Sequence, residues 1–454
     1  MKTKIKFISY IFMITPSIIF AQSKELTKVQ VIGDVKFIIS ALENTSVAPY
    51  EHISKENFHK KMSIIESSLV NKDNVNEVDF YKAVQPIVNL LKDGHTYLYL
   101  EDYFDKNDYY LFPFELSISK KMIMIRNIKN SYESKIKREF VGKKIKSINS
   151  FSTSQILNLL NTYSSGENQN TRLALSDYIF NDIYNIFYLN NNHLTILFDD
   201  NSKLELSINK KSEFRTNNNE ENEDINYYYK IINNKYAVLT FNSFLKLKSF
   251  KIFLVEMFKN LKTQKIKNLI IDIRDNGGGD SELGDELLKY FCINPFTQYE
   301  KTLLKYSDLS KAMAKIYLSK DTEKLKSFLS KENGMVETID KSNALINPYP
   351  LDKRYDGNVF LLTSGRTFSS AADFSNAFKF YKVGMIVGEE TGGFVISPGE
   401  LSVAKLPNSG LTFFLSSSKD YDIGVQNNEW HGIFPDIKIN SENALQYTVD
   451  KLIK

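Results

Sequence analysis

The sequence has few of the residues that build disulfides or transition-metal sites. Its 454 residues include a single cysteine, Cys292, so no internal disulfide can form. Cys292 lies in an apolar, helix-like run, which disfavours a thiol-based mechanism. No two of the five histidines have the spacing of metal ligands, so we expect neither a metal nor an organic cofactor. The five are His52, His59, His95, His193 and His431.

The chain also lacks a strong excess of charge. Its 58 Lys and Arg residues nearly balance 54 Asp and Glu residues, leaving a formal charge of +4. Scattered charge of this kind argues against a dedicated nucleic-acid surface. An apolar content of 42% is ordinary for a globular protein, and the length allows two or three domains.

Long apolar runs are missing except at the N-terminus. Three lysines precede the apolar stretch Phe7–Phe20, which ends at Ala21, and this pattern predicts a signal peptide over residues 1–21. The stretch is short and contains Pro16, which disfavours a retained membrane anchor, the alternative interpretation. We therefore expect a mature protein without a membrane span, exported to the periplasm or the extracellular space.

Apolar spacing divides the mature chain into four parts. Residues 24–107 show the three- and four-residue spacing of helices and contain the run Asp93-Gly94-His95-Thr96. Residues 108–210 combine short strand-like runs with one helix, which fits a small peptide-binding module of the PDZ kind. Residues 211–226 are rich in Asn and Glu and are predicted to be a linker.

The last part, residues 227–454, alternates buried strands with helices, which predicts an open α/β sheet. A Lys-rich segment at about 295–350 is predicted to be a helical insertion. The fold class is therefore α/β, with a helical N-terminal region, a PDZ-like module and an open-sheet domain.

Two loops of this sheet could carry chemistry. In the first, a strand runs into residues 274–279, Arg-Asp-Asn-Gly-Gly-Gly, whose bare amides beside a helix start could hold phosphate or a developing oxyanion. Phosphate is disfavoured because no Gly-Lys-Ser/Thr ending follows and acids flank the glycines. In the second, Ser369 and Ser370 stand where a strand turns into a helix, a position that suits a nucleophile or a simple helix cap.

Five motifs in this order resemble the tail-specific protease family with its tricorn-core relatives. They are DGHT at 93–96, RDNGGG at 274–279, TFSSAADF at 367–374, GEETGG at 388–393 and EWHGIFPD at 429–436. The resemblance covers nearly all of the mature chain. It implies a serine peptidase with a PDZ-like module and no cofactor, acting on peptides or unfolded proteins.

The resemblance also implies roles for individual residues. Ser369 matches the family's nucleophile, with Ser370 as the alternative, and His95 matches the base that Glu429 would orient. The family's Lys-dependent branch carries its base at the position of Phe394, so that mechanism is not expected here. Backbone amides of Gly278 and Ser370 would hold the oxyanion.

Two other functions remain open from the sequence. Relatives on this scaffold bind hydrophobic ligands without proteolysis, so a non-catalytic binding protein for a hydrophobic ligand or a peptide is one alternative. An esterase or amidase that uses the same residues is the other.

Overall fold

The computed structural model describes residues 25–188, 192–214, 226–426 and 428–453. The predicted signal peptide lies outside the described residues, as does most of the predicted linker. In the part of the chain that is described, no helix combines the length and the apolar character needed to cross a membrane.

The N-terminal region is helical, as its spacing predicts. A capping box between Thr27 and Gln30 starts the first long helix, because each side chain bonds the other residue's backbone N–H. The helices are α1 (Lys28–Thr45), α2 (Lys55–Val70), α3 (Glu77–Val88) and α4 (Glu101–Lys106). The short strands are β1 (Glu25–Leu26), β2 (Val75–Asn76) and β3 (Tyr97–Tyr99).

A small antiparallel sheet follows, with strand order β4-β5-β6-β8-β9 and β7 paired to β6. Its strands are β4 (Phe114–Ser119), β5 (Met122–Ile128), β6 (Lys144–Ile148), β7 (Phe151–Ser152), β8 (His193–Phe198) and β9 (Lys203–Ser207). Its helices are α5 (Thr153–Tyr163), α6 (Gln169–Leu175) and α7 (Asp177–Ile183). We call residues 108–210 the small-sheet module. Its core is continuous with that of the N-terminal helices, so the two parts pack as one unit.

The remaining chain builds the open α/β sheet that its apolar runs predict. The strand order is β10-β11-β12-β15-β16-β19, parallel except for the β10–β11 hairpin. The strands are β10 (Tyr227–Ile232), β11 (Tyr236–Phe241), β12 (Asn268–Asp272), β15 (Asn358–Thr363), β16 (Met385–Gly388) and β19 (Ile437–Lys438). The helices are α8 (Leu247–Thr263), α9 (Glu282–Leu288), α12 (Ser370–Phe380) and α13 (Ser441–Tyr447).

A second antiparallel sheet covers one side of the site, in the order β14-β13-β18-β17, and β3 of the N-terminal region also pairs with β18. Its strands are β13 (Tyr299–Lys305), β14 (Val336–Asp340), β17 (Ile396–Lys405) and β18 (Thr412–Asp422). The segment at about 295–350, predicted to be a helical insertion, contains strands as well as helices. Only α10 (Asp308–Tyr317) and α11 (Thr322–Ser330) are helical, and β13 and β14 pair on either side of them.

Candidate active site

The turn between β15 and α12 holds Ser369 in a conformation that costs energy. Its φ of 51° and ψ of −134° lie outside the regions favoured by residues with a side chain. Such strain persists only where surrounding bonds enforce it, and it concentrates at functional turns such as strand-to-helix nucleophile turns. Here the Phe368 amide donates to Asn276 O at 3.0 Å, and the Thr367 hydroxyl donates to Ile273 O at 2.9 Å. The glycine loop therefore fixes the Ser369 turn.

The glycine loop can approach Ser369 closely because Gly278 has no side chain. Gly278 has a φ of +101°, and a Cβ there would lie 2.8 Å from Ser369 Cβ and 2.9 Å from Phe368 O. Its amide donates to the buried Asn276 Oδ1 at 2.9 Å. The amide of Ser370 begins α12, so it has no acceptor within the helix. An oxyanion at this place would meet the Ser370 amide directly and would share the Gly278 amide with Asn276.

His95 lies against Ser369 although 274 positions separate them in the chain. Its Nε2 is 3.3 Å from Ser369 Oγ, and its ring packs on Phe368 with a centroid distance of 5.0 Å. The Ser370 hydroxyl instead donates to Gly279 O at 2.7 Å. Of the two candidate serines, the structure thus pairs Ser369 with the imidazole.

Burial lowers the pKa of His95 below its ordinary value of about 6.5, and the negative charges of Asp93 and Asp420 oppose this effect. A lower pKa keeps the imidazole neutral, which is the form that accepts a proton. The arrangement therefore suits a general base.

Glu429 is not bonded to His95. One of its carboxylate oxygens accepts the Gln426 amide at 3.1 Å, and no described residue bonds His95 Nδ1. The route from Glu429 to the imidazole stays a prediction, and a direct bond is absent in this structure. The carboxylate oxygen beside Nδ1 belongs to Asp93, at 3.9 Å.

Two positions considered for a lysine base, 394 and 419, have other partners in the structure. Phe394 is buried against the Trp430 ring, with 5.0 Å between ring centroids, where the Lys-dependent branch of the resembled family carries its base. The Lys419 ammonium contacts both carboxylate oxygens of Glu51 at 2.6 Å. Burial raises the pKa of the Cys292 thiol to about 12, which keeps it protonated.

The small-sheet module reaches the site from the other side. Its buried Glu167 accepts the Gly94 amide at 3.3 Å, one residue before His95, and its Thr171 hydroxyl donates to Gly392 O at 3.0 Å. Burial raises the pKa of Glu167 to about 8, so this carboxyl is mostly protonated at neutral pH. Sequence reasoning missed Glu167, because it stands in a polar loop with no recognisable motif.

An ionic cluster also joins the module to the glycine loop. Arg126 of β5 contacts Asp275 of the loop at 2.6 Å, and Arg366, three residues before Ser369, contacts the same carboxylate at 3.0 Å. Asp177 at the start of α7 accepts from Arg366 at 3.0 Å. The sequence alone did not pair these residues, because the partners stand about 90 to 190 positions apart.

Buried acids lie on and beside α12, and sequence reasoning missed them too. The Tyr299 hydroxyl donates to Asp373 Oδ2 at 2.7 Å, and Tyr299 is the cross-strand partner of Asp422. Burial raises the pKa of Asp373 to about 8 and the pKa of Asp422 well above its ordinary range. Among the described residues, no group of three His, Cys, Asp or Glu side chains is arranged to hold a metal ion.

Comparisons with known proteins bear on the family and the fold. Residues 235–439 match the model of peptidase family S41, whereas no curated protein matches the sequence. The structure of mature CPAF superposes with a TM-score of 0.64 at 13% identity, covering 94% of this chain and 97% of that one. The photosystem II D1 C-terminal processing protease gives a TM-score of 0.45 at 13% identity, covering 92% and 94%.

The family match and the shared fold define a serine-type peptidase. The match to peptidase family S41, the family of the tail-specific proteases, covers residues 235–439, which include most of the open sheet. The fold class predicted from the sequence, α/β with a helical N-terminal region and an open catalytic sheet, is confirmed.

Proposed function

We propose that the protein is an exported peptidase in which Ser369 is the nucleophile and His95 the general base. The observation that carries this proposal is the 3.3 Å contact between Ser369 Oγ and His95 Nε2. Two segments far apart in sequence converge there, and the backbone at Ser369 is held in an unfavourable conformation. Nucleophilic serines are activated by such an adjacent base.

The reaction follows from the positions of these atoms. His95 Nε2 takes the hydroxyl proton while Ser369 Oγ attacks the carbonyl carbon of the scissile peptide bond. His95 then gives that proton to the departing amine, which leaves an ester on Ser369. Water, deprotonated by the same imidazole, hydrolyses the ester and regenerates the serine.

Backbone amides at the start of α12 and in the glycine loop would stabilise the negative charge on the carbonyl oxygen. The Ser370 amide points from the first position of the helix, where the helix dipole also favours an anion. Gly278 is the second proposed donor, and its bond to Asn276 holds the loop in place before the reaction.

The acid of the triad and the substrate are the finer parts of the proposal. Glu429 stays the acid predicted from the sequence, although its bond to Gln426 occupies it here. The substrate class is peptides or unfolded proteins, for which the small-sheet module would act as a PDZ-like binding module. Export is proposed from the basic and apolar pattern of residues 1–21.

A degradation assay tests the proposal most simply. The purified mature chain is incubated with an unfolded protein and, in parallel, with an ester substrate. We expect peptide-bond cleavage by the wild type and by Ser370→Ala, and none by Ser369→Ala. Ester cleavage without peptide cleavage would favour an esterase, and no turnover with either substrate would favour a binding protein.

A further inference from the structure

The side of His95 that faces away from Ser369 holds a buried nitrogen without a hydrogen-bond partner. Because Nε2 faces the serine hydroxyl as an acceptor, the proton of the neutral ring belongs on Nδ1. No described residue accepts a bond from that nitrogen. A buried donor needs an acceptor, and imidazolium formed during the reaction would need one more strongly.

Asp93 is the carboxylate placed to meet this need. Its Oδ1 lies 3.9 Å from His95 Nδ1 and accepts the His95 backbone amide at 2.8 Å. Its Oδ2 accepts the Thr96 hydroxyl at 2.6 Å and the hydroxyl of Ser416 on β18. Three donors from two parts of the chain therefore fix the carboxylate next to the ring.

We infer that Asp93 is a further positioning residue, which orients His95 and stabilises its protonated form. The inference rests on the proposed function, because it concerns the same reacting pair. The 3.9 Å gap would shorten to a hydrogen bond in the complex with substrate, as long apo distances in active sites commonly do.

The other charged groups around the ring do not replace Asp93. Asp420 of β18 acts on His95 through space, but its carboxylate accepts the hydroxyls of Thr302 and Ser418. Glu167 of the small-sheet module binds the Gly94 amide and is mostly protonated at neutral pH. Asp93 is therefore the acid whose carboxylate lies beside Nδ1 of His95.

The test compares Asp93→Asn with Glu429→Gln by a measurement that does not need turnover. Both changes are made in a Ser369→Ala background, and the pKa of His95 is followed by NMR of the ring nitrogens. Asn preserves the shape of Asp93, and the hydroxyls of Thr96 and Ser416 can turn to accept its amide. Loss of the nearby negative charge should lower the pKa of His95 more in Asp93→Asn than in Glu429→Gln.

Kinetics of the variants with intact Ser369 give the second measurement. We expect Asp93→Asn to lower kcat/KM by about a hundredfold or more. The rising limb of the pH profile of kcat/KM should also move to lower pH. Glu429→Gln should change both quantities less than Asp93→Asn does, because Glu429 does not bond the ring in this structure. A shift of the His95 pKa caused by Glu429→Gln alone, or equally by both changes, would overturn the inference.

The two ideas can fail separately. An inactive wild type would refute the proposed peptidase. The NMR comparison would still show which carboxylate affects the pKa of His95. If Asp93→Asn does not fold, Ser416→Ala carries the test, because it frees one oxygen of Asp93 without removing the charge. A severalfold loss of kcat at unchanged KM supports the inference, and an unchanged kcat contradicts it.

Discussion

The two partners of the reacting pair are held in place by different parts of the molecule. Ser369 stands between β15 and α12, and the bonds that fix its turn come from the neighbouring glycine loop of the same sheet. His95 stands on a turn supported by the small-sheet module through Glu167 and by β18 through Ser416. Ser369 is thus positioned locally, whereas the position of His95 depends on packing between three parts of the chain.

This difference matters for how the site can be damaged. A change at the nucleophile turn should abolish chemistry without loosening the fold, because the parallel sheet beneath it stays intact. A change in the small-sheet module should act at a distance, through the position of the imidazole.

Removing either partner should have the largest effect. We expect Ser369→Ala and His95→Ala each to lower kcat by roughly 10⁴- to 10⁶-fold, with the double variant little worse than either, because such residues act as a unit. Steady-state kinetics on a peptide substrate measures this. Substantial activity in His95→Ala, or losses that multiply in the double variant, would show that the two do not work as a pair.

The glycine loop offers a sharper test of how Ser369 is positioned. In Gly278→Ala the new Cβ would meet Ser369 Cβ and Phe368 O within 3 Å, so we expect a loss of about a hundredfold or more in kcat with a retained fold. Gly277→Ala is the matched control, since its Cβ would touch only the Tyr178 hydroxyl at 3.7 Å. Equal losses in both variants would mean that the close approach of Gly278 is not what matters.

Substitutions among the residues that support His95 should lower kcat less. Glu167→Ala removes the acceptor of the Gly94 amide, and we expect kcat to fall roughly tenfold as the turn that carries His95 loosens. Glu167→Gln keeps an acceptor oxygen and should stay near wild type. The contrast between the two variants in kcat is the measurement, and equal activity would remove Glu167 from the support of His95.

The sequence predicted the structure around Ser369 well and the structure around His95 only in part. The strand at 268–272, the glycines and the serine turn were predictable because short-range patterns specify them. The proposed role of His95 came from a resemblance. Asp93 is its neighbour in sequence, but the bond from Ser416 to Asp93 and the approach of Glu167 to Gly94 depend on tertiary packing, which the sequence does not reveal. The strands β13 and β14 were missed for a related reason, since their pairing spans a helical, Lys-rich segment.

The smallest expected effect concerns stability. Burial raises the folded-state pKa of Glu167 from about 4.5 to about 8, so the folded protein keeps a proton that the unfolded chain loses. The contribution of Glu167 to stability is therefore complete below pH 4.5 and is lost as the pH rises towards 8. Glu167→Gln should gain in Tm relative to wild type across this range, by a few degrees, and the gain should level off above it. A pH-independent difference between the two proteins would contradict the assignment of a protonated Glu167.

The central claim, that Ser369 attacks with His95 as its base, is tested most directly by mapping a covalent adduct. A serine-directed phosphonate is reacted with the wild type and with His95→Ala, and the modified residue is located by peptide mass spectrometry. The account predicts one adduct, on Ser369. Its rate of formation in the wild type should rise with pH through a single ionisation below the ordinary imidazole pKa of about 6.5, and this rate should fall by orders of magnitude in His95→Ala. An adduct on Ser370, or a labelling rate in His95→Ala equal to that of the wild type, would contradict it.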